Sequence, residues 1–288
     1  MRSGVRLIIL GFFLSRLILV FVGVVAVDRF PIDNHEAQGF HLEPQSHAYL
    51  EAWARYDASW YVTIAEHGYR RGTVSPKGDI RAAFFPLYPS AVRLVMKLTH
   101  PPILAALVVS NVCYLVFLLL LWRLVSLDCK TDVARRTLWI YLLFPSAFFL
   151  SGAYSESLLL AVTVGSLLAA RRGYWLVAGA LAALAALARP VGVWALVPVL
   201  AELFACWRAN RAVNLVRSLA RVLIPIAMAC LGYLAFAVST FGTPMAVVDS
   251  QASIRGPIGF PWEPLHRSMP RRSTAARSIV HSWMHCSL

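Results

Sequence analysis

The sequence predicts an all-α protein whose helices cross a membrane several times. Three observations support this fold class: 59% of the 288 residues are hydrophobic, only 14% are charged, and the apolar residues occur in long blocks. A soluble domain usually carries about 25% charged residues, whereas a helix that crosses a bilayer needs about 20 mostly apolar ones. The composition therefore indicates that most of the helices are surrounded by lipid.

Apolar blocks along the chain are the candidate spans. The first, residues 7–27, is too long for a cleavable signal peptide and lacks a small-residue cleavage pattern. Several later blocks are short, but tilt and a hairpin partner allow short helices to cross. These later blocks are residues 103–122, 137–152, 157–170, 175–188, 191–207 and 222–241.

Basic residues between the blocks predict the topology. The net charge is +13, and the positive-inside rule is satisfied when the main basic groups are cytoplasmic. The segments left outside are residues 28–100, the turns 153–156 and 189–192, and everything after residue 242, so that 28–83 forms a large first extracytoplasmic loop. The cytoplasmic groups are Arg2 and Arg6; Arg123, Lys130, Arg135 and Arg136; Arg171 and Arg172; and Arg208, Arg211, Arg217 and Arg221.

This topology requires that the apolar stretch 84–98 does not cross the membrane. The stretch begins with Phe-Phe-Pro-Leu-Tyr-Pro and contains Arg93 and Lys97. Such a pattern favours an interfacial or re-entrant helix. A span at this position would invert every later loop and violate the charge rule.

Other function classes find little support in the sequence. Topology and contact with anionic lipid head groups explain the basic residues, and no nucleic-acid motif is present. The five cysteines are scattered and form neither a disulfide framework nor a metal knuckle. Histidines and carboxylates between Asp33 and Glu51 fit no standard zinc signature; we interpret them as a solvated loop, with metal binding as the lesser alternative. We therefore predict no metal, no cofactor and no nucleic-acid partner.

The segment 55–69 is the richest in polar and aromatic side chains. Read as a helix, it places Asp57, Tyr61 and Gly68 on one face, and Gly68 suits its end. Its tryptophans and tyrosines favour the head-group region, so the helix would lie at the outer interface. Asp57 could then act as a general base, or it could pair with Arg55 on a solvated surface.

Three further charges lie in or beside apolar blocks. Glu156 could be functional at the mouth of two helices, or it could simply favour the start of the next helix. Arg189 could bind a lipid-linked phosphate, or it could extend to the interface as an anchor. Arg16, near the middle of the first block, could serve a functional site or pair with an acid on another helix.

Several stretches together resemble the GPI mannosyltransferase II (PIG-V type) family of GT-C membrane glycosyltransferases. Their order and spacing are similar to bacterial members over residues 5–262, although Tyr56 stands where the family commonly has Trp. The stretches are 55–69; Ala-Phe-Phe-Pro-Leu-Tyr-Pro at 83–89; Phe-Pro-Ser-Ala-Phe-Phe at 144–149 with Tyr-Ser-Glu-Ser at 154–157; Ala-Arg-Pro-Val-Gly at 188–192; and Phe-Gly-Thr-Pro at 241–244 before Pro-Trp at 261–262.

The resemblance implies a GT-C-like bundle that transfers mannose, with inversion, from a polyprenyl-phosphate donor to a lipid or glycan acceptor at the external face. It makes Asp57 the base and Arg189 a partner of the donor phosphate. The implied location is the bacterial cell membrane, or the endoplasmic reticulum membrane in a eukaryote. The substrate-binding residues predicted on this basis are Arg55, Trp60, Tyr61, Glu66, His67, Tyr154, Glu156 and Arg189.

Two alternatives remain beside this prediction. The enzyme could use another sugar, because nothing in the sequence distinguishes mannose from glucose or a pentose. The protein could also be non-enzymatic, either a scaffold subunit or a transporter. Transport is disfavoured because the 55–69 pattern does not repeat and the polar groups gather at one mouth.

The end of the chain departs from the family. Residues 263–288 are basic and would place Arg267, Arg271, Arg272 and Arg277 outside, against the charge rule. We therefore expect residues 1–262 to form the transferase domain. We interpret 263–288 as an aberrant tail from a truncated or frame-shifted reading of a longer protein.

Overall fold

A computed structural model describes residues 2–29, 53, 56–71, 80–209 and 213–255 of the chain. These residues contain ten α-helices and no strand, which confirms the predicted fold class. The predicted tail, 263–288, lies outside the described residues. The helices are α1 (Arg2–Arg29), α2 (Asp57–His67), α3 (Leu87–Val95), α4 (Pro102–Asp128), α5 (Thr131–Leu143), α6 (Glu156–Arg171), α7 (Trp175–Ala188), α8 (Leu196–Ala209), α9 (Leu215–Phe241) and α10 (Ala246–Arg255).

Four helical segments of the described part are long and apolar enough to cross a membrane. They are Gly4–Ala26, Pro102–Asp128, Pro190–Ala209 and Leu215–Phe241. The third joins a short 3-10 helix, Pro190–Ala195, to α8. The chain is therefore a multi-pass membrane protein, as its composition predicts.

The predicted block 137–152 is divided into separate elements. Helix α5 begins at Thr131 and ends at Leu143, and a 3-10 turn follows at Pro145–Phe148. Proline disfavours the helical conformation of the residue before it. Pro145 therefore keeps Phe144 out of the helix, although the apolar run continues. The turn that follows carries the chain back to the start of α6.

Helix α7 lies at the centre of the bundle between α6 and α9. Half of its 14 residues are alanine, and its buried face includes Ala178, Gly179 and Ala182. A Cβ atom added to Gly179 would lie 2.7 Å from the Cα atom of Val222 in α9. Small residues let helix backbones approach closely, which is the usual way in which helices associate within lipid.

Helices α2 and α3 form a small layer over the beginning of α4. The buried face of α2, including Tyr61 and Ile64, packs on Tyr88 and Val92 of α3 and on Ala106 of α4. Helix α3 has only nine residues, which is too short to cross a bilayer, as predicted for the stretch 84–98.

The end of α2 is stabilised by backbone contacts. Gly68 adopts a positive φ of 75° and donates its N–H to the carbonyl of Ile64. Arg93 of α3 donates from Nε to the carbonyl of Ala65 at 2.7 Å and from Nη2 to that of Glu66 at 3.0 Å. A cation beside the last carbonyls of a helix is favourable, so α3 holds α2 in place.

Candidate active site

Asp57 is the first residue of α2, and its side chain is exposed. The residue before it, Tyr56, has a φ of 55°. Among the described residues it is the only one other than glycine with a positive φ. Side chains rarely adopt this conformation without support, and such strain is concentrated at functional sites. The start of α2 therefore has a special backbone geometry that presents Asp57.

An open cleft of about 480 Å³ lies beside Asp57. Four segments that are distant in the sequence contribute to it: α2, residues 83–85 before α3, the end of α7 with the turn after it, and α10. Aromatic side chains cover part of its wall, since Phe84 makes an edge contact with Tyr61 at a centroid distance of 5.1 Å. The lining residues are Asp57, Tyr61, Ala83, Phe84, Phe85, Ala188, Arg189, Pro190 and Gln251.

Arg189 brings a positive charge to this cleft. The residue has extended backbone, between the end of α7 and the 3-10 helix Pro190–Ala195. Its Nη1 atom donates a hydrogen bond to Oε1 of Glu156, the first residue of α6. Both side chains are about one third exposed, 30% for Arg189 and 33% for Glu156.

The guanidinium of Arg189 remains charged. Burial alone would lower the pKa of Arg189. The pKa nevertheless lies above its ordinary value, because the electrostatic effects of Glu156, Tyr61 and Asp57 and the hydrogen bond to Glu156 favour the charged form. Opposite charges close by favour the ionised form. A fixed cation therefore lies in the cleft that also contains the Asp57 carboxylate.

A close backbone contact fixes the position of Arg189. A Cβ atom added to Gly192 would lie 1.9 Å from the carbonyl oxygen of Ala185. The chain after Arg189 is thus pressed against the last turn of α7. A side chain at this position would force the two segments apart.

Tyr61 connects the cleft to the turn before α6. Its Oη atom shares a hydrogen bond of 2.8 Å with Oγ of Ser155. Burial raises the pKa of Tyr61 to about 12, and the bond to Ser155 offsets part of this effect. The hydroxyl therefore stays protonated at neutral pH and acts as a hydrogen-bonding group.

Side chains of α4 hold the same turn from the other side. Ser110 donates to the carbonyl of Tyr154 at 3.2 Å, and Asn111 donates to the carbonyl of Ser151 at 3.1 Å. Tyr88 in turn hydrogen-bonds Ser110 at 2.7 Å. This network orients the start of α6, and with it Glu156.

The structure brings together some of the predicted site residues and separates others. Asp57, Tyr61 and Arg189 line the cleft, and Glu156 pairs with Arg189. Arg55 lies outside the described residues. The remaining predicted residues do not line the cleft: Trp60 stacks on Phe84, Tyr154 is buried beside Phe149, and Glu66 and His67 lie exposed at the far end of α2.

Arg16 lies elsewhere in the bundle. Its guanidinium is 5.5 Å from the ring centroid of Phe12 and 4.9 Å from that of Tyr114. Among the described residues no carboxylate pairs with it. Cation–π contacts of this kind stabilise a desolvated cation, so the structure supports packing of Arg16 against aromatic rings.

Sequence reasoning missed Gln251 of α10 as a cleft residue. A neutral amide in a short helix after the last span gives no signal of charge or spacing. The histidines of the first loop that were considered as metal ligands, such as His41, lie outside the described residues. Within the part of the chain that the structure covers, no group of three His, Cys, Asp or Glu side chains comes together.

A second, apolar groove of about 570 Å³ adjoins the cleft. Phe85 and Pro190 line both cavities, and Phe85 stacks on Tyr233 at a centroid distance of 4.5 Å. The groove runs between α7 and α9. Its other lining residues are Ala186, Leu187, Val193, Ala229, Cys230 and Leu234.

Comparison with known proteins matches residues 6–247 to the family model described as mannosyltransferase (PIG-V). The chain is similar to GPI alpha-1,6-mannosyltransferase 2 of Rattus norvegicus, with 30% identity over 208 residues, 64% of this chain and 40% of that protein. It is also similar to GPI alpha-1,6-mannosyltransferase 2 of Mus musculus, with 32% identity over 184 residues, 56% of this chain and 36% of that protein. The chain thus spans at most 40% of the length of these relatives. No solved structure matches it significantly.

Proposed function

This chain belongs to the PIG-V mannosyltransferase family, and we propose that it transfers mannose from a polyprenyl-phosphate donor to a lipid or glycan acceptor. The proposed location of the reaction is the extracytoplasmic face of a bacterial cell membrane. One observation carries the proposal: Asp57 and Arg189, far apart in the sequence, line a single cleft. A base and a phosphate-binding cation are the two groups that such a transfer needs.

The cavities suit a donor with a lipid tail. The cleft contains the charged groups, while the adjoining groove is lined by aliphatic and aromatic side chains. A polyprenyl chain would lie in the groove and its phosphate in the cleft, because apolar surface is buried favourably and a charge is not. Phe85 and Pro190 would mark the boundary between the two parts of the donor.

Arg189 is the proposed partner of the donor phosphate. Its side-chain hydrogen bond to Glu156 uses Nη1, and no side-chain hydrogen bond from its Nε or Nη2 atom reaches another described residue. A guanidinium can hold two phosphate oxygens at once. When the bond between the sugar and the phosphate breaks, negative charge grows on the phosphate, and the fixed cation stabilises it.

Asp57 is the proposed general base. The oxygen of the acceptor hydroxyl attacks the anomeric carbon of mannose from the face opposite the phosphate. Its proton passes to the Asp57 carboxylate, and the electrons of the breaking carbon–oxygen bond leave on the polyprenyl phosphate. This single displacement inverts the anomeric configuration. Asp57 is exposed at the start of a helix, where an acidic side chain is favoured and where an acceptor hydroxyl can reach it.

The proposal is tested by transfer of labelled mannose from polyprenyl phosphate mannose in membranes that carry wild type or Asp57→Asn. We expect the variant to lose at least about a hundredfold in rate, since general-base catalysis contributes 10²–10⁴-fold. Asp132→Asn, the same change on an exposed residue of α5, is the matched control and should keep full activity. Equal rates for wild type and Asp57→Asn would exclude Asp57 as the base, and a panel of glucose and pentose donors tests the sugar.

A further inference from the structure

The last described helix, α10, contributes one residue to the cleft, Gln251. The residue lies beyond the segment 6–247 that matches the family model, so that match assigns it no role. Its side chain is partly buried. Among the described residues, none makes a hydrogen bond to it.

The packing of α10 determines the direction of this side chain. Gly242, with a φ of 79°, ends α9 and lets the chain turn back. Ala246 and Ser250 are fully buried, four residues apart on one face of α10, and the helix packs on the 3-10 helix Arg81–Ala83. Gln251 follows Ser250 and therefore lies about 100° further around the helix axis, at the edge of the cleft.

The other polar groups of the cleft already have tasks in the proposed reaction. Asp57 takes the acceptor proton, Arg189 faces the donor phosphate, and the Tyr61 hydroxyl is bonded to Ser155. A sugar hydroxyl both donates and accepts hydrogen bonds. The amide of Gln251 offers two donors and a carbonyl acceptor, and it carries no charge that would compete for the phosphate or the proton.

From this placement we infer that Gln251 binds hydroxyl groups of the transferred sugar and contributes to the choice of sugar. The inference rests on the proposed function, because it takes the cleft to be the donor site. It adds a sugar subsite formed by α2 and α10, next to the phosphate subsite at Arg189. Loss of the amide should weaken recognition of the sugar and leave recognition of the phosphate unchanged.

Binding of two lipids to the purified full chain tests the inference. The probes are geranyl phosphate mannose and geranyl phosphate, which share the prenyl chain; geranyl phosphate lacks the sugar and carries up to one more negative charge, so each variant is compared with wild type for the same lipid. For Gln251→Leu we expect binding of the mannosylated lipid to weaken several-fold to about tenfold, the size of one or two lost net hydrogen bonds, with no change for geranyl phosphate. Asp249→Asn, an exposed change on the same helix, should alter neither affinity.

Two results would overturn the inference: Gln251→Leu weakening both lipids by the same factor, or the variant weakening neither. Gln251→Asn serves as a second variant, since it keeps the amide and shortens its reach; it should also weaken the mannosylated lipid alone. A wild type that binds geranyl phosphate mannose more tightly than geranyl phosphate but transfers no mannose would contradict the proposed function. The lipid comparison would still decide the role of Gln251.

The choice of sugar provides a second readout. The ratio of kcat/KM for mannose over glucose donors should fall several-fold in Gln251→Leu, because the two sugars differ in the orientation of a hydroxyl. A purely structural residue would lower both values together. An unchanged ratio would therefore count against a role in sugar recognition.

Discussion

The two ends of α6 carry the same kind of ion pair in different surroundings. At the first residue, Glu156 pairs with Arg189, and at the last, Arg171 pairs with both Asp128 and Glu202. The ends are about 22 Å apart along the helix axis. Both charges suit the helix dipole, with the acid at the N-terminus and the base at the C-terminus.

The surroundings separate the two ends. Exposure alone does not, since Arg171 and Arg189 are both 30% exposed and Glu202, at 24%, is less exposed than Glu156, at 33%. The Arg171 cluster, however, lines neither the cleft nor the apolar groove, and it ties α4, α6 and α8 together. Glu156 and Arg189 lie beside buried Tyr61 and next to both cavities. The comparison teaches that the neighbouring cavities and side chains, more than the ion pair or its exposure, mark the candidate site.

The largest difference between the two ends should appear on replacing each arginine by lysine. Arg189→Lys keeps the charge but loses the two-pronged contact to phosphate, and we expect kcat/KM for mannose transfer to fall about a hundredfold. Arg171→Lys should stay within a few-fold of wild type. Similar losses in the two variants, measured under identical lipid conditions, would remove the distinction between the ends.

A smaller difference is expected when each acid loses its charge. Glu156→Gln leaves the partly exposed charge of Arg189 without its hydrogen-bonded counter-ion, and we expect a loss of about 1–2 kcal/mol in the free energy of unfolding, between the values for exposed and buried pairs. Asp128→Asn should cost less than about 1 kcal/mol. Reversible unfolding in mixed detergent measures both, and equal costs would show that enclosure does not matter here.

The smallest effect concerns the bond that supports the Glu156 end. Tyr61→Phe removes the hydrogen bond to Ser155 and should lower the free energy of unfolding by about 1 kcal/mol. The folded-state pKa of Tyr61, about 12, lies above the ordinary value of 10.0. Burial favours the protonated hydroxyl in the folded state, so wild type keeps the stability provided by protonated Tyr61 below pH 10 and loses it as pH rises from about 10 to about 12, because the unfolded chain releases its proton first.

In the variant, stability should fall less steeply over the same pH interval. Some slope will remain, because burial also raises the pKa of Tyr69 and of Tyr88. Unfolding followed as a function of pH provides the measurement. Identical slopes for wild type and Tyr61→Phe would show that Tyr61 titrates like an exposed tyrosine.

Local signals predicted much of the fold. The block 175–188 coincides with α7, and Gly68 ends α2 as expected, because both depend on residues close in the sequence. The block 137–152 is interrupted because hydropathy alone does not register the effect of Pro145 on the helix before it.

The sequence predicted the charged residues of the candidate site, but it did not predict all the residues that line the cleft. Positive-inside topology predicts that Asp57, Glu156 and Arg189 lie on one face of the membrane, since an intramembrane charge is costly elsewhere. The cleft also depends on the packing of α10 on Arg81–Ala83, a contact between distant segments. No local pattern encodes that contact, so Gln251 could be found only from the structure.

Gly192 gives the molecule a genetic vulnerability. Gly192 has no side chain and so leaves room for the carbonyl of Ala185. The position of the charged Arg189, three residues earlier, therefore depends on this glycine. Replacement of Gly192 by alanine would alter no charge, no hydrogen-bonding side chain and little of the hydropathy profile. Surveys that rank variants by polarity would pass over this substitution, although its added Cβ atom would push the turn away from α7 and displace Arg189.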